Sequence, residues 1–424
     1  MKKRLFCIFL TLAMTVELLT GCSQSGVSNN QTKTPSTDAD NAETVNLKFT
    51  YWGSTYEKKS MEKAVAVFMQ QNPHIKIEAQ HIPADYDTKL AAMVAGNEAP
   101  DVAYLRDFMA LPYATEGKLL NILDMIDADP ALSREDFLDK AFVYWEPGKA
   151  YGLFTAIEVF GLYYNKKAFE EAGLSPLPTK EKDALTWDEL VEIAKKLTID
   201  QNGNTPNDPG FDRSKIKQYG LRFDYIHTNY MPLVVANGGD YINKEGTAFG
   251  LTDPKAYEVI QKMADAVNVY HVSPSPAEAK SIPAGAVSLI SQQAAIFLGG
   301  QWNLLDLAGS GMEFGVGILP KGEAGFASGA PQGTFSIFAS TKHPKEAYQF
   351  WKFLANPESC KDLYQKGLWM PLMKKWYEEP LVSEWADTLP AHPEGYRDSH
   401  IPMATKYFTC NASAYVKDFN QINA

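Results

Sequence analysis

The sequence predicts an α/β protein built as two lobes with mainly parallel sheets. The chain has 424 residues, of which 45% are hydrophobic and 21% charged, so it can bury a large core and should divide into more than one unit. Strand and helix patterns alternate from residue 45 onward with short connections, which favours a parallel, doubly wound sheet. A second run of elements spans about 216 to 300, and two lobes accommodate it better than one oversized domain.

The first three strands and two helices follow from hydrophobic periodicity. Residues 45–52 alternate between polar and apolar side chains, which predicts a strand. A helix ending before residue 72 is predicted by apolar side chains at i, i+3, i+4 and i+7, namely Met61, Ala64, Val65 and Phe68. Residues 74–82 and 101–105 predict the next two strands. Between them, a helix ending at Gly96 is indicated by Tyr86, Leu90, Met93 and Val94.

In sheets of this kind, ligands bind outside the carboxyl ends of the strands. Two segments of the sequence occupy such positions. Residues 52–56 follow the first strand, and Arg106 and Asp107 follow the third. These segments are therefore the first candidate site positions.

Residues 152–166, GLFTAIEVFGLYYNK, have the composition of a strand buried on both faces. Tyr163 and Tyr164 are predicted to pack within it. The run nevertheless contains Glu158, and an unpaired carboxylate in apolar surroundings is costly. Glu158 therefore needs a specific reason to be there.

Thr186 and Glu189 have the spacing of a capping box and predict the start of a helix there. Trp187 between them is predicted to be a packing residue, since most tryptophans are largely buried. The loop at 200–210 superficially resembles a calcium loop. However, Phe211 stands where a bidentate glutamate is required, so no metal site is predicted.

The N-terminus has the features of a secretory signal over residues 1–21: a basic start, an apolar core at 5–16 and small residues before a cut site. The sequence Leu-Thr-Gly-Cys at 19–22 resembles the bacterial lipobox, which implies that Cys22 becomes the lipidated first residue of the mature protein. Residues 22–44 are almost entirely polar and are predicted to form a flexible tether.

The charge balance argues against several kinds of partner. Removal of residues 1–21 takes away three basic residues and Glu17, which changes the net charge from −11 to −13. Such an acidic chain is poorly suited to bind nucleic acid or an anionic membrane surface through its own charge. Cys360 and Cys410 could form a disulfide or remain free thiols, and their spacing does not decide between the two.

Familiar catalytic and cofactor motifs are missing from the sequence. It contains no G-x-S-x-G, H-E-x-x-H, P-loop or C-x-x-C pattern, and no cofactor or metal is predicted. A pair of carboxylates for glycoside hydrolysis can be drawn from any chain with 51 acidic residues. Catalysis is therefore unsupported, although not excluded.

Nine stretches, in order along the chain, are shared with one known family. They are a strand ending in Trp52, NPHIKIE at 72–78, Pro100-Asp101, GKLLNI at 117–122, YGLFTAIEVFGLYYNKKAFEEAGL at 151–174, TWDEL at 186–190, ANGGDYI at 236–242, AAIFLGGQW at 294–302 and HPKEAYQFWKFLANPE at 343–358. Together they resemble the extracellular solute-binding proteins (family 1) of carbohydrate ABC importers, the group that includes maltose-binding protein.

The resemblance implies a type II periplasmic-binding-protein fold, in which two discontinuous α/β lobes are joined by a multi-strand hinge and close on a sugar. The implied chain crossings between the lobes lie within 152–166, near 326–332 and near 398–408. The implied segments are 45–155 and about 330–400 for the N-terminal lobe, and about 160–328 and 401–424 for the C-terminal lobe.

Carried over position by position, the resemblance implies a sugar site between the lobes. Glu158 matches a glutamate that accepts sugar hydroxyls, and Trp302 matches a tryptophan on which a sugar ring stacks. The other implied contacts are Trp52, Arg106, Asp107, Trp369 and an aromatic platform among Tyr225, His227 and Tyr230. Sugars present hydroxyls and apolar C–H faces, which suit these residue types. Alternatively, Arg106 and Asp107 could form a surface ion pair, and Trp302 and Trp369 could belong to the core.

The family implies a monomeric, non-enzymatic subunit that is lipid-anchored on the extracellular face of the bacterial cell membrane, or on the periplasmic side where an outer membrane exists. Its implied partners are a mono- or oligosaccharide and the membrane permease subunits of an ABC importer. Two alternatives remain open: a secreted lipoprotein glycan hydrolase that uses Glu158 and a partner acid, and the same fold binding a non-sugar solute.

Overall fold

The computed structural model describes residues 44–243, 248–329 and 333–409. Within them, the strands are β1 Val45–Tyr51, β2 Ile75–His81, β3 Val102–Arg106, β4 Phe142–Glu146, β5 Lys149–Phe154, β6 Phe160–Asn165, β7 Ile199–Asp200, β8 Ile216–Phe223, β9 Ala294–Gly300, β10 Phe314–Gly317 and β11 Gly333–Ile337.

The α-helices of the same residues are α1 Thr55–Gln71, α2 Tyr86–Ala95, α3 Asp107–Thr115, α4 Ile122–Asp127, α5 Lys166–Glu171, α6 Trp187–Leu197, α7 His227–Ala236, α8 Pro254–Asn268, α9 Ala286–Ile290, α10 Asn303–Ser310, α11 Pro344–Ala355, α12 Lys361–Gln365, α13 Leu381–Ala386 and α14 Tyr396–Thr405. Short 3₁₀ helices occur at Arg134–Asp136, Glu181–Asp183, Arg213–Lys215, Gly250–Thr252, Glu278–Lys280, Pro357–Cys360 and Lys374–Tyr377.

The described strands form two sheets. The first has the order β2-β1-β3-β11-β5-β4 and the second the order β10-β6-β9-β8-β7. Helices accompany both sheets, so the predicted α/β class with two units is confirmed.

The expectation of mainly parallel sheets is wrong. Parallel pairing is limited to β1 with β2, β1 with β3, and β8 with β9 among the described strands. The other pairs are antiparallel. The reason is connectivity: β4 and β5 form a hairpin, and β11 enters the first sheet from the far end of the chain rather than through a βαβ crossover.

The elements predicted from periodicity in the first hundred residues are confirmed. The apolar face of α1 is buried, with Phe68 and Met61 each 1% exposed. β1, β2 and β3 start and end within one residue of their predicted limits. The capping box that begins α6 is present. Trp187 is the first residue of this helix and is buried.

The run 152–166 is two strands rather than one. β5 belongs to the first sheet and β6 to the second, so the chain passes between the sheets at residues 155–159. Tyr163 and Tyr164 are buried in β6, as predicted. Two consecutive apolar strands look like one long strand in sequence because the break carries no glycine or proline.

Three chain segments lie side by side at this passage. The Phe160 N–H donates to Ser328 Oγ (2.8 Å), and the Ser328 N–H donates to the Tyr407 carbonyl (2.9 Å). The Thr409 N–H in turn donates to the Ser328 carbonyl (2.7 Å). The passage between the two sheets is thus flanked by two further strand-like segments, an arrangement that suits a multi-strand hinge.

Candidate functional site

A cavity of about 190 Å³ opens beside the passage between the two sheets. Its walls come from the first sheet, from the start of α1, from the passage itself and from the segments that follow β9 and α12. The lining residues are Trp52, Glu57, Tyr104, Arg106, Thr155, Glu158, Trp302, Gly333 and Trp369. Five of the eight side chains predicted from the sequence therefore converge on this one space.

A second cavity of about 660 Å³ adjoins the first and shares Trp52, Glu57 and Arg106 with it. Its remaining lining residues are Gly53, Ser54, Pro83, Asp85, Tyr86, Asp87 and Thr88. The two cavities together are called the cleft below. A separate cavity of about 480 Å³ between α6, α7 and α8 contains Trp187 and none of the eight predicted residues.

Trp52 stands directly after β1 and forms one aromatic wall of the cleft. Its ring meets the rings of Tyr86 and Tyr104 edge-on, at centroid distances of 5.1 Å and 5.2 Å. The guanidinium carbon of Arg106 lies 4.8 Å from its ring centroid, within cation–π range. A Cβ at Gly333 would come within 2.7 Å of the indole, so this glycine leaves room for the ring.

Trp302 forms a wall on the other side, between the end of β9 and the start of α10. Its ring packs edge-on against Phe160 at 5.5 Å. A Cβ at Gly300 would lie 2.0 Å from a ring atom, so only glycine lets the indole lie across the strand end. Trp302 is half-buried, which leaves part of the ring surface facing the cavity.

Trp369 contributes less surface. It is 4% exposed and meets Tyr364 edge-on at 6.0 Å, so most of the ring is packed in the core and only its edge reaches the cavity. Trp369 is therefore mainly a core residue that also lines the cavity, so the two roles left open by the sequence are combined in it.

Arg106 ends β3 and pairs across the sheet with Gly333 of β11. Its Nε donates to Asp87 Oδ2 at 3.1 Å, and both side chains are about one-third exposed. The sequence places these groups 19 residues apart, so the ion pair is a product of the fold. It holds the guanidinium against Trp52.

Glu158 sits in the passage between β5 and β6, where its neighbours are held by backbone hydrogen bonds. Ile157 exchanges two bonds of 3.0 Å with Met370, and the Val159 carbonyl accepts from the Gln301 N–H at 2.9 Å. Because both neighbours are held in this way, the Glu158 side chain is directed into the cavity it lines. Among the described residues, no hydrogen bond to its carboxylate is present.

The environment of Glu158 disfavours its charge. The pKa of this carboxyl is raised to about 8, chiefly by burial and to a smaller extent by the nearby Glu57, against the opposing effect of Arg106. A carboxyl with so strongly perturbed a pKa, in a cavity with aromatic walls, marks a candidate functional site.

Glu57 lies in the same cavity and was not predicted from the sequence. Its Oε2 accepts the Ser54 N–H at 2.6 Å as part of the capping box that begins α1. The S-x-x-E spacing at 54–57, immediately after the first strand, was the signal that could have identified it.

Asp107, Tyr225 and Tyr230 are not brought to the cleft. Asp107 is 2% exposed at the start of α3, and its Oδ1 accepts the Phe108 N–H at 2.8 Å. The Tyr225 hydroxyl donates to the Pro274 carbonyl, and its ring packs against Phe223. Tyr230 is half-buried on α7 and lines neither cavity of the cleft. The sequence neighbourhood of a site does not decide which way a helical side chain points.

Comparison with protein families decides the class of the protein. Residues 63–391 match the model of the bacterial extracellular solute-binding proteins. The chain belongs to this family. Twelve of the sixteen residues that line the cleft lie within the match, and Trp52, Gly53, Ser54 and Glu57 precede it.

Individual relatives of this solute-binding protein are distant. It is 23% identical over 325 residues to the multiple sugar-binding protein of Streptococcus mutans, covering 73% of this chain and 71% of that one. It is 26% identical over 235 residues to the sn-glycerol-3-phosphate-binding periplasmic protein of Rhizobium meliloti, covering 54% and 51%. An ABC substrate-binding protein of Listeria monocytogenes, solved with cycloalternan, shares the fold with a TM-score of 0.75 and 22% identity, covering 90% and 91%.

Two further features of the described residues bear on the class. None of their helices is both long and apolar enough to cross a membrane. No group of three or more His, Cys, Asp and Glu side chains in residues 44–243, 248–329 and 333–409 is arranged to hold a metal ion. Cys360 is buried, while Cys22 and Cys410 lie outside the described residues.

Proposed function

We propose that this solute-binding protein is the ligand-capturing subunit of an ABC importer and that it binds a mono- or oligosaccharide in the cleft. The observation that carries the proposal is the convergence of Trp52, Arg106, Glu158 and Trp302 on one cavity beside the passage between the sheets. Closure of the two lobes about the hinge would enclose the sugar, and the closed form would dock on the membrane permease. The lobes proposed are 45–155 with about 330–400, and about 160–328 with 401–424.

The chemistry of the cleft suits a sugar. Trp52 and Trp302 offer aromatic surface for the C–H faces of a pyranose ring. Glu158 can accept hydrogen bonds from vicinal hydroxyls, and Arg106 can donate to them. The name of the Streptococcus mutans relative, a multiple sugar-binding protein, supports the same ligand class.

A glycerol phosphate ligand is the main competitor, because another relative is named for binding sn-glycerol 3-phosphate. A phosphate group requires cationic donors. Among the described residues that line the cleft, Arg106 is the one basic side chain, and it is already paired with Asp87. The charge of the cleft therefore favours a sugar.

A thermal-shift panel of mono- and oligosaccharides, with sn-glycerol 3-phosphate as a separate arm, tests this function. A cognate sugar at one-hundredfold excess over its Kd should stabilise the protein by about 2.7 kcal/mol. Incubation of the same oligosaccharides with the protein should yield no product over time. A shift with glycerol phosphate alone, or hydrolysis that depends on Glu158, would overturn the sugar-binding proposal.

We also propose that Cys22 carries the lipid that anchors the protein outside the cell. The basis is the lipobox-like sequence at 19–22, followed by the polar tether. In cell fractionation, the wild-type protein should remain with membranes, and Cys22→Ser should move to the soluble or secreted fraction. Retention of the variant on membranes to the same extent would contradict the anchor.

A further inference from the structure

The charged groups of the cleft are strongly unbalanced in number. Its described lining residues include four carboxylates, Glu57, Asp85, Asp87 and Glu158, against the single guanidinium of Arg106. A neutral sugar needs hydrogen-bonding groups but no excess of negative charge. The surplus of carboxylates therefore carries information about the ligand beyond the proposed function.

Arg106 is paired with a carboxylate of the larger cavity. Its Nε bonds to Asp87, which lines the larger cavity, and its guanidinium lies over the Trp52 ring. Glu57 and Glu158 both line the smaller cavity together with Arg106, and no lysine or histidine is among its described lining residues. Acidic side chains thus outnumber basic ones in both cavities of the cleft.

Several walls of the smaller cavity are aromatic. Trp52, Tyr104, Trp302 and Trp369 all line the 190 Å³ cavity that contains the two carboxylates. Indole and phenol faces attract cations through the ring quadrupole, most strongly where water is excluded. Aromatic walls with two acids at their centre are a better complement to an ammonium group than to a hydroxyl.

We propose that the ligand carries a positively charged nitrogen, and that the saccharide is an aminosugar whose protonated amine binds between Glu57 and Glu158. This inference rests on the proposed function and names the substrate class of the same site. The amine would donate charge-assisted hydrogen bonds to the carboxylates, while the aromatic rings contact the rest of the sugar.

The state of Glu158 without ligand is consistent with this assignment. Its pKa is raised because the effect of burial, to which Glu57 adds, exceeds the opposing effect of Arg106. A ligand ammonium would supply the missing positive charge and return the carboxyl to its ionised form. Binding should then release a proton from the protein near neutral pH.

Matched sugars that differ only in the group at C2 of each ring test the inference. Calorimetric titration at pH 7 would compare the β-1,4-linked glucosamine dimer with its N-acetylated form and with cellobiose, and likewise glucosamine with N-acetylglucosamine and glucose. The amino form should bind at least about tenfold more tightly than both neutral counterparts, since hydrogen bonds to an ionised donor are about twice as strong.

Two variants test whether the amine of the ligand binds at Glu57. Glu57→Gln retains the ability to complete the capping box, and it should reduce the preference for the amino form several-fold. Glu192→Gln, on the exposed face of α6 and away from the cleft, is the matched control and should preserve the preference.

The outcomes separate this inference from the proposed function. Equal or tighter binding of the neutral sugars would overturn the aminosugar assignment and leave sugar binding intact. Absence of any binding by the amino forms would also overturn it, and the broader saccharide panel would then decide the proposed function independently. A preference that survives Glu57→Gln unchanged would contradict the placement of the amine.

Discussion

Glu158→Gln is expected to make the unliganded protein more stable at pH 8 and to abolish its response to ligand. The pKa of Glu158 is raised to about 8, so from about pH 4.5 to pH 8 the native protein holds a proton that the unfolded chain has released. The free energy of unfolding of the wild type therefore falls as the pH rises through this window. A neutral glutamine removes that penalty, which is on the order of 4 kcal/mol at pH 8.

Urea unfolding of both proteins at pH 5 and pH 8 measures this effect. The variant should gain stability at pH 8 and differ little at pH 5, where the wild-type carboxyl is protonated in the native state. Glu192→Gln, an exposed carboxylate in a surface ion pair, should show no such pH-dependent gain. A stability difference of the same size at both pH values would show that the effect does not come from the ionisation of Glu158.

The same variant should lose the thermal stabilisation by the cognate sugar, because a glutamine cannot supply a charged acceptor. Stability and binding would then change in opposite directions. That outcome would identify Glu158 as a residue retained for function at a cost in stability.

Trp302→Ala is expected to remove sugar binding with only a modest loss of stability. The indole is half-buried and supplies aromatic surface to the cavity, and sugar faces bind chiefly through such contacts. Truncation removes its packing against Phe160 and the strand end at Gly300, which should cost about 1–3 kcal/mol of unfolding free energy. The loss in affinity should exceed one-hundredfold, about 2.7 kcal/mol.

Titration of the cognate sugar into Trp302→Ala, Trp302→Phe and Tyr257→Ala checks this expectation. Phenylalanine keeps a smaller aromatic face and should retain part of the affinity. Tyr257 is a 58% exposed aromatic residue on α8 that lines neither cavity of the cleft, so its removal should leave binding unchanged. Full affinity in Trp302→Ala would show that the ring belongs to the core and that the sugar lies elsewhere.

Local sequence patterns were sufficient for much of the fold. Periodicity located α1 and the first three strands because the burial of one face repeats every few residues along a helix or strand. The same reasoning placed Trp52 and Arg106 at strand ends, where ligand sites occur, and both line the cleft. Glu158 could be recognised as unusual because a carboxylate in an apolar run is costly wherever that run lies.

Local sequence patterns could not predict the long-range contacts. The antiparallel entry of β11 into the first sheet joins residues more than two hundred positions apart, and no local signal specifies it. The Arg106–Asp87 pair and the place of Glu57 beside Glu158 arise from the same assembly. The family resemblance implied that Asp107 and Tyr225 belong to the site. Asp107 is instead buried at the start of α3, and the Tyr225 hydroxyl is bonded to the Pro274 carbonyl.

The sequence alone was therefore enough for the α/β class, the first five elements and the identity of Glu158 as an anomaly, because these depend on interactions between residues a few positions apart. The composition of the cleft depends on which distant segments meet at the passage between the sheets. Tyr104, Thr155 and Gly333 line it without any signal in their own sequence neighbourhoods. The energy that brings them together comes from burial summed over both sheets, and such a sum cannot be assigned to any one stretch of the chain.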